Sequence, residues 1–171
     1  MMSDKSHFVI FTLDDQRFAV PLDVIDKIVR AVDILPIPKA PDVIQGIINI
    51  QGRIIPVVNL RKRFRIADKS LSIDDHLIIG RSAKRTLAIL VDTVQDIVES
   101  QQNEIVAPDE ILDEMQHIKG VMKLENGMIL IHDLEHVLSE EEDSHLEKAL
   151  QTGVKSTKRA KKADSLRADA S

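Results

Sequence analysis

The 171-residue sequence contains no cysteine, tryptophan or tyrosine, and only four phenylalanines and six glycines. Without cysteine there is no disulfide framework, no thiol nucleophile and no thiolate zinc site, and a reducing compartment is the default. With aromatic residues at 2%, base-stacking platforms for single-stranded nucleic acid have almost no material. The core is therefore expected to be aliphatic. Long apolar runs are missing too. Met1 to His7 is polar and charged, and Phe8 to Leu13 is too short for a signal-peptide core or a bilayer span, so the expected location is the cytoplasm. The glycines never group as G-x-x-x-x-G-K-[ST] or G-x-G-x-x-G, so the backbone cradle for a nucleotide phosphate is lacking. No serine sits in a G-x-S-x-G elbow, which leaves nucleophilic catalysis without a visible site.

What is present is an apolar share of 43% and a charged share of 30%, within the globular range. The charge is uneven. Residues 155–171 carry Lys155, Lys158, Arg159, Lys161, Lys162 and Arg167 against Asp164 and Asp169, a net +4, which leaves residues 1–154 at −9. An acidic body with a basic tail is expected, the tail flexible because it lacks an apolar period.

The chain also repeats itself. The segment beginning at Phe8 (8–29) aligns without gaps on the one beginning at Leu77 (77–98), with Phe18, Ala19 and Val20 on Leu87, Ala88 and Ile89, and Asp23 on Asp92. Each opens as a β-hairpin around a polar turn, Asp14 to Arg17 or Arg81 to Arg85. A second block, 44–64, aligns on 118–138, with Gly46 on Gly120, Val58 on His132 and Leu60 on Leu134. The offset grows by five, which places an insertion around Asn103 to Gln116, where Pro108 reads as a short helix start. Gln51-Gly52 and Asn126-Gly127 mark tight turns. Each repeat supplies about five short strands, and a sheet of that size loses its edges most simply by curling. The fold expected is mainly β: two pseudo-repeated SH3-like five-stranded β-barrels packed side by side, a groove between them, short connecting helices and a C-terminal helix over about 139–150. That helix starts on the capping box of Ser139 and Glu142 and is pinned by Leu146 and Leu150. Pro36, Pro38 and Pro41 read as a stiff crossover, and Pro56 as a mark of an edge or bulged strand. The domain division is 1–154 and a 155–171 tail.

Two features invite a chemical reading. His132-Asp133-Leu134-Glu135-His136 matches the H-x-x-E-H spacing of certain zinc peptidases, but that pattern needs a helix and a third ligand. The repeat sets His132 on Val58 at a strand end, so an exposed strand-end pair is the expectation. Arg61, Lys62, Arg63 and Arg65 around Phe64 resemble a nucleic-acid patch, yet the body is acidic, and an exposed strand end or protein-docking edge is favoured.

Ile37 to Phe64 resembles the signature stretch of the CheW family, roughly P-x-x-I-x-G-x-x-N-x-R-G-x-x-x-P-V-x-D-L-R. Pro41, Ile44, Gly46, Asn49, Gly52, Pro56, Val57, Leu60 and Arg61 match, and the likeness extends from about His7 to Leu138. The resemblance implies a non-catalytic adaptor, without cofactor or metal, that couples methyl-accepting chemoreceptors to the CheA histidine kinase, at home in membrane-bound receptor arrays. By the same resemblance the kinase regulatory domain meets the first barrel around Ile25, Lys27, Ile28 and Gly46. The cytoplasmic tip of the receptor meets Asn49, Gln51, Gly52 and Leu77 near the groove. Gln51 and Asn59 stand where the family pattern has arginine and aspartate, so neutral amides replace two charges of opposite sign, with altered receptor preference as the expected effect; Arg53 is a candidate substitute. The alternative from another class is a small-barrel nucleic-acid-binding module using the basic tail; a metal enzyme on His132 and His136 is a third reading.

Overall fold

The computed structural model describes residues 5–101, 104–107, 117–125 and 127–152. The strands are β1 (Lys5–Leu13), β2 (Gln16–Pro21), β3 (Ile25–Arg30), β4 (Ile44–Ile50), β5 (Arg53–Asn59), β6 (His76–Arg81), β7 (Thr86–Val91), β8 (Thr93–Gln101), β9 (Ile105–Val106), β10 (Ile118–Leu124) and β11 (Gly127–His132). A short helix α1 (Leu60–Phe64) follows β5, and a C-terminal helix α2 covers 140–152. The expected insertion around Asn103 to Gln116 falls mostly outside the described residues, which include only 104–107 of it. Asn126 of the second turn and the 155–171 tail lie outside them altogether.

The strands form two sheets, ordered β8-β1-β2-β11-β10-β9 and β3-β6-β7-β5-β4. The expectation that each repeat builds its own barrel is corrected here. Hairpin β1–β2 of the first repeat sits among β8 to β11 of the second, and hairpin β6–β7 of the second sits among β3 to β5 of the first. The first sheet also has six strands rather than five, because β9 pairs with β10.

Burial explains the unbroken apolar runs in the two hairpins. Side chains alternate across a strand, and both faces of these hairpins are covered. Phe8, Ile10 and Ala19 enter a small core inside the first sheet with Met122, Ile129 and Ile131. Leu77, Ile79 and Ala88 do the same in the second with Ile48, Ile55 and Val57. The alternate residues, Val9, Phe11, Leu13, Phe18 and Val20 facing Ile78, Leu87, Ile89 and Val91, form a third core between the sheets. The seam where a groove was expected is therefore largely filled.

The repeated glycines share one physical cause. Strand β4 is bulged between Ile44 and Gly46, and β10 between Ile118 and Gly120. A methyl group on Gly46 would overlap the Leu35 carbonyl, and one on Gly120 would lie 2.8 Å from the Val106 carbonyl. Each bulge lets a crossing segment close over the sheet. The crossing segment over Gly46 is the proline-rich stretch, bridged from Leu35 to Ile47. Pro56 is corrected from an edge position: β5 lies between β7 and β4. It is tolerated because the β7 ladder starts only at Val57, and the bulge is in the partner strand.

α2 starts as expected. Ser139 Oγ accepts from the Glu142 N–H at 3.1 Å, and Glu142 Oε1 accepts from the Ser139 N–H at 2.9 Å. Leu146 is fully buried in the seam core. Arg85 ties the helix to the β6–β7 turn through Asp143 at 2.8 Å and Glu147 at 2.9 Å.

Candidate functional site

Among the described residues strand β3 is an edge of the second sheet and pairs only with β6. Ile25 is half-buried against the seam core, Lys27 is exposed, and Ile28 is 37% exposed. An edge strand offers unpaired backbone groups as well as side chains. The Ala31 N–H donates to the Asp75 carbonyl at 2.8 Å, which brings the linker before β6 beside the end of β3. Val32, Leu71 and Ile73 are exposed as well and lie within four residues of that junction in the chain. Sequence reasoning missed these three; β-branched and aliphatic residues in a loop were the available signal. The repeat gives β8 its own counterpart in Ile97, which aligns with Ile28 and is 52% exposed.

Two of the candidate residues are buried. Gly46 is buried beneath Leu35, on β4 at the other edge of the sheet order from β3. Leu77 is 0% exposed inside the second sheet. Both lie within the sheet rather than on its surface. Asn49, Gln51 and Gly52 are exposed together at the β4–β5 turn. Asn49 Oδ1 accepts from the Gly52 N–H at 2.9 Å, and Gln51 adopts φ +52° and Gly52 φ +84°, so the turn has a fixed shape. It is a hairpin tip, not a groove wall. Arg53 follows and donates to Thr86 Oγ1 at 3.0 Å.

Asn59 is buried and caps α1: its Oδ1 accepts from the Arg61 N–H at 3.0 Å, and its Nδ2 donates to Gln45 Oε1 at 2.9 Å. Aspartate would cap equally well. Gln51, in the turn before β5, and Asn59, at the far end of β5, are separated by the length of that strand, about 20 Å at about 3.3 Å per residue, so the two departures from the family pattern do not share one site.

The basic cluster is also corrected. It lies on a helix turn rather than a strand end, and Arg61 is only 7% exposed. The Arg61 guanidinium meets Asp14 at 2.7 Å and Asp92 at 2.6 Å, and donates to the Ala67 carbonyl at 2.9 Å. Lys69 adds contacts with Asp75 and Asp92. Asp14 belongs to the first sheet's hairpin turn and Arg61 follows the second sheet's β5, so the network locks the two barrels. Hydrogen bonding to Asp14 raises the Arg61 pKa against the opposing effect of burial. Burial alone would push the Asp92 carboxyl up, but the Asp14 N–H, Arg61 and Lys69 hold it below its ordinary range. Arg63 pairs with Glu142 of α2, leaving Lys62 and Arg65 as the exposed members.

His132 does end a strand, but it is 0% exposed rather than solvent-facing. It packs against Phe11, Phe18, Phe64 and His117, with ring centroids 4.6 to 6.2 Å away, so one side of the seam core is aromatic and not aliphatic. His136 is exposed and bonded to Asp133 at 2.6 Å. The segment 133–138 is not helical, so the two histidines do not sit on adjacent turns of one helix. Among the described residues no group of three or more His, Asp or Glu could hold a metal ion, and no helix is long and apolar enough to cross a membrane.

Comparison with known proteins follows the same outline. The family model described as "CheW-like domain" matches residues 7–142. "Chemotaxis protein CheW" of Thermotoga maritima is 30% identical over 131 residues, covering 76% of this chain and 85% of that protein. The protein of the same name from Treponema pallidum is 25% identical over 145 residues, covering 81% and 85%. The crystal structure of the scaffolding protein TtCheW from Thermoanaerobacter tengcongensis superposes with a TM-score of 0.73 at 29% identity, over 80% of this chain and 94% of that one.

Proposed function

The chain belongs to the CheW-like domain family and is an adaptor of chemotaxis-type signalling, and from that premise we propose how it divides its surface between partners. The edge strand β3, with Ile25, Lys27 and Ile28, takes the regulatory domain of the CheA kinase. The β4–β5 tip, with Asn49, Gln51 and Gly52, takes the cytoplasmic tip of a chemoreceptor. The adaptor itself transfers no phosphate and needs no cofactor; it works in the cytoplasm at receptor arrays. Residues 1–154 form the working domain and 155–171 a basic appendage.

The observation that carries the kinase assignment is the exposure of Ile28 on a strand edge unpaired among the described residues, with further exposed aliphatics close by in the chain. An edge can be extended by a partner strand, and apolar side chains there supply the buried centre of a docking surface. Neutral Asn49 and Gln51 suit hydrogen bonding to a polar helix tip. Nucleic acid is the poorer partner: Arg61 and Arg63 of the basic cluster are consumed by internal ion pairs.

Co-purification with the CheA regulatory domain of the same organism tests the assignment. Ile28→Glu should weaken retention by about tenfold or more while Gln51→Ala leaves it unchanged, both with unaltered folding by circular dichroism. Equal retention of the wild type and Ile28→Glu would remove β3 from the interface.

A further inference from the structure

The internal repeat makes the two sides of the seam comparable, and they are not packed alike. On one side Phe64, which follows β5, stacks on Phe18 with centroids 4.8 Å apart and meets His132 at 4.6 Å, with Phe11 beneath. The repeat places Leu138, Leu87, Val58 and Gly80 at the matching positions. Three rings are replaced by aliphatic side chains and one by no side chain. The backbone frame is the same, since the parallel pairing of Ala19 with Ile131 corresponds to that of Ala88 with Val57. At Gly80 the space is taken by Leu134, whose Cδ1 lies 2.6 Å from where a Cβ would stand, but around Leu87 and Leu138 the smaller filling leaves the surface open. The structure shows it as an open hollow of about 550 Å³, floored by Leu87, Leu134 and Leu138.

The rim has a sign. Glu135, Glu140 and Asp143 border the hollow, with Lys84 and His136 also among its lining. Asp143 is already paired with Arg85, and Glu135 also caps the Ala83 N–H at 2.7 Å, so both are held in place at the edge. Glu140 remains exposed at the start of α2. The hollow shares no residue with β3 or with the β4–β5 tip.

We infer that this hollow is a docking site for a partner segment that presents a phenylalanine-sized side chain beside a lysine or arginine. The side chain would lie against Leu138, which holds the position that Phe64 takes on the other side of the seam, and the adjacent cation would lie over Glu140 and Glu135. An apolar anchor in a pocket flanked by charge is a common form of peptide recognition.

The test is a titration of the isotope-labelled full chain with acetyl-Lys-Phe-Lys-amide and, separately, acetyl-Glu-Phe-Glu-amide, followed by amide NMR shifts. The basic peptide should shift Leu87, Leu138 and Glu140, more strongly at low salt, and the acidic peptide should not. Leu138→Phe, which fills the hollow as Phe64 fills its counterpart, should remain folded and bind the basic peptide at least about tenfold more weakly. Shifts confined to other residues, no shifts at millimolar peptide, or undiminished binding by a folded Leu138→Phe chain would overturn the inference. So would a chain ending at Thr152 that binds the peptide about tenfold more tightly, because the occupant would then be the chain's own tail.

Discussion

Replacing His132 with leucine should make the protein more stable, and the gain should grow as the pH falls. The imidazole is fully buried, and neither ring nitrogen has a hydrogen-bond partner among the described residues. An unsatisfied buried polar group costs about 1 to 3 kcal/mol, so leucine, similar in volume, is expected to gain about 1 kcal/mol at pH 7 after the loss of ring stacking. Burial, with help from His117 and Arg63, lowers the His132 pKa from 6.5 to about 3. The folded state therefore binds fewer protons than the unfolded state between those values, and stability falls as pH drops below 6.5. At pH 5 the loss amounts to about 2 kcal/mol, at about 1.36 kcal/mol for each pH step of one below 6.5. His117 is displaced in the same direction by burial and by Arg63. Glu142, which neutralises Arg63, is held below its ordinary range by the Ser139 N–H and by Arg63 against the opposing effect of burial; its contribution is lost only below about pH 4.5. The window from pH 6.5 to 5 thus belongs to the histidines. Urea unfolding at pH 7 and pH 5 reads the difference: the variant should lose clearly less stability between the two, and parallel losses would show that His132 is not the group responsible.

Gly46→Ala should be among the most damaging single substitutions in the chain, at about 3 kcal/mol or more, because the new methyl group meets a backbone carbonyl that cannot rotate away. Leu35 would have to lift from the bulge, taking the crossover with it. Gly120→Ala should be nearly as costly, with the Val106 carbonyl and the Ile105 side chain both within 2.9 Å of the added carbon. Gly52 provides the contrast. It has a positive φ but open space around it, so alanine there should cost only about 1 kcal/mol of backbone strain. Thermal melts of the three variants test this order. If Gly46→Ala melted like the wild type but failed to bind the kinase domain, Gly46 would be a contact residue after all.

These glycines also show what was legible in the sequence. Gly46 aligns with Gly120 in the sequence, but only the structure gives the reason, in the matching bulges and crossing carbonyls. The two hairpins, the capping box at Ser139 and the burial of Leu146 were readable because each is local and carries its own residue pattern. The exchange of hairpins between barrels was not. A repeat presents nearly the same partner surface in both halves, so β1–β2 makes equivalent contacts whether it pairs within its own repeat or with the other, and periodicity cannot choose. The lock of Arg61 with Asp14 and Asp92 stayed hidden for a related reason: its members come from three separated turns that approach only after the exchange. His132 misled because histidine is usually at least partly exposed, and only the stacking of Phe11, Phe18 and Phe64 around it explains its burial. Exposure was the weakest inference at the candidate site, where Ile28 proved accessible and Leu77 did not, although both are aliphatic residues on neighbouring strands.

The most direct test of the adaptor role is reconstitution of receptor-containing membranes with the CheA kinase of the same organism, measuring kinase phosphorylation with and without this chain and with and without receptor ligand. Phosphorylation should respond to ligand only when the chain is present, and Ile28→Glu should abolish the response without lowering the activity of the kinase alone. Ligand control that is equally strong in the absence of the chain would contradict the adaptor role.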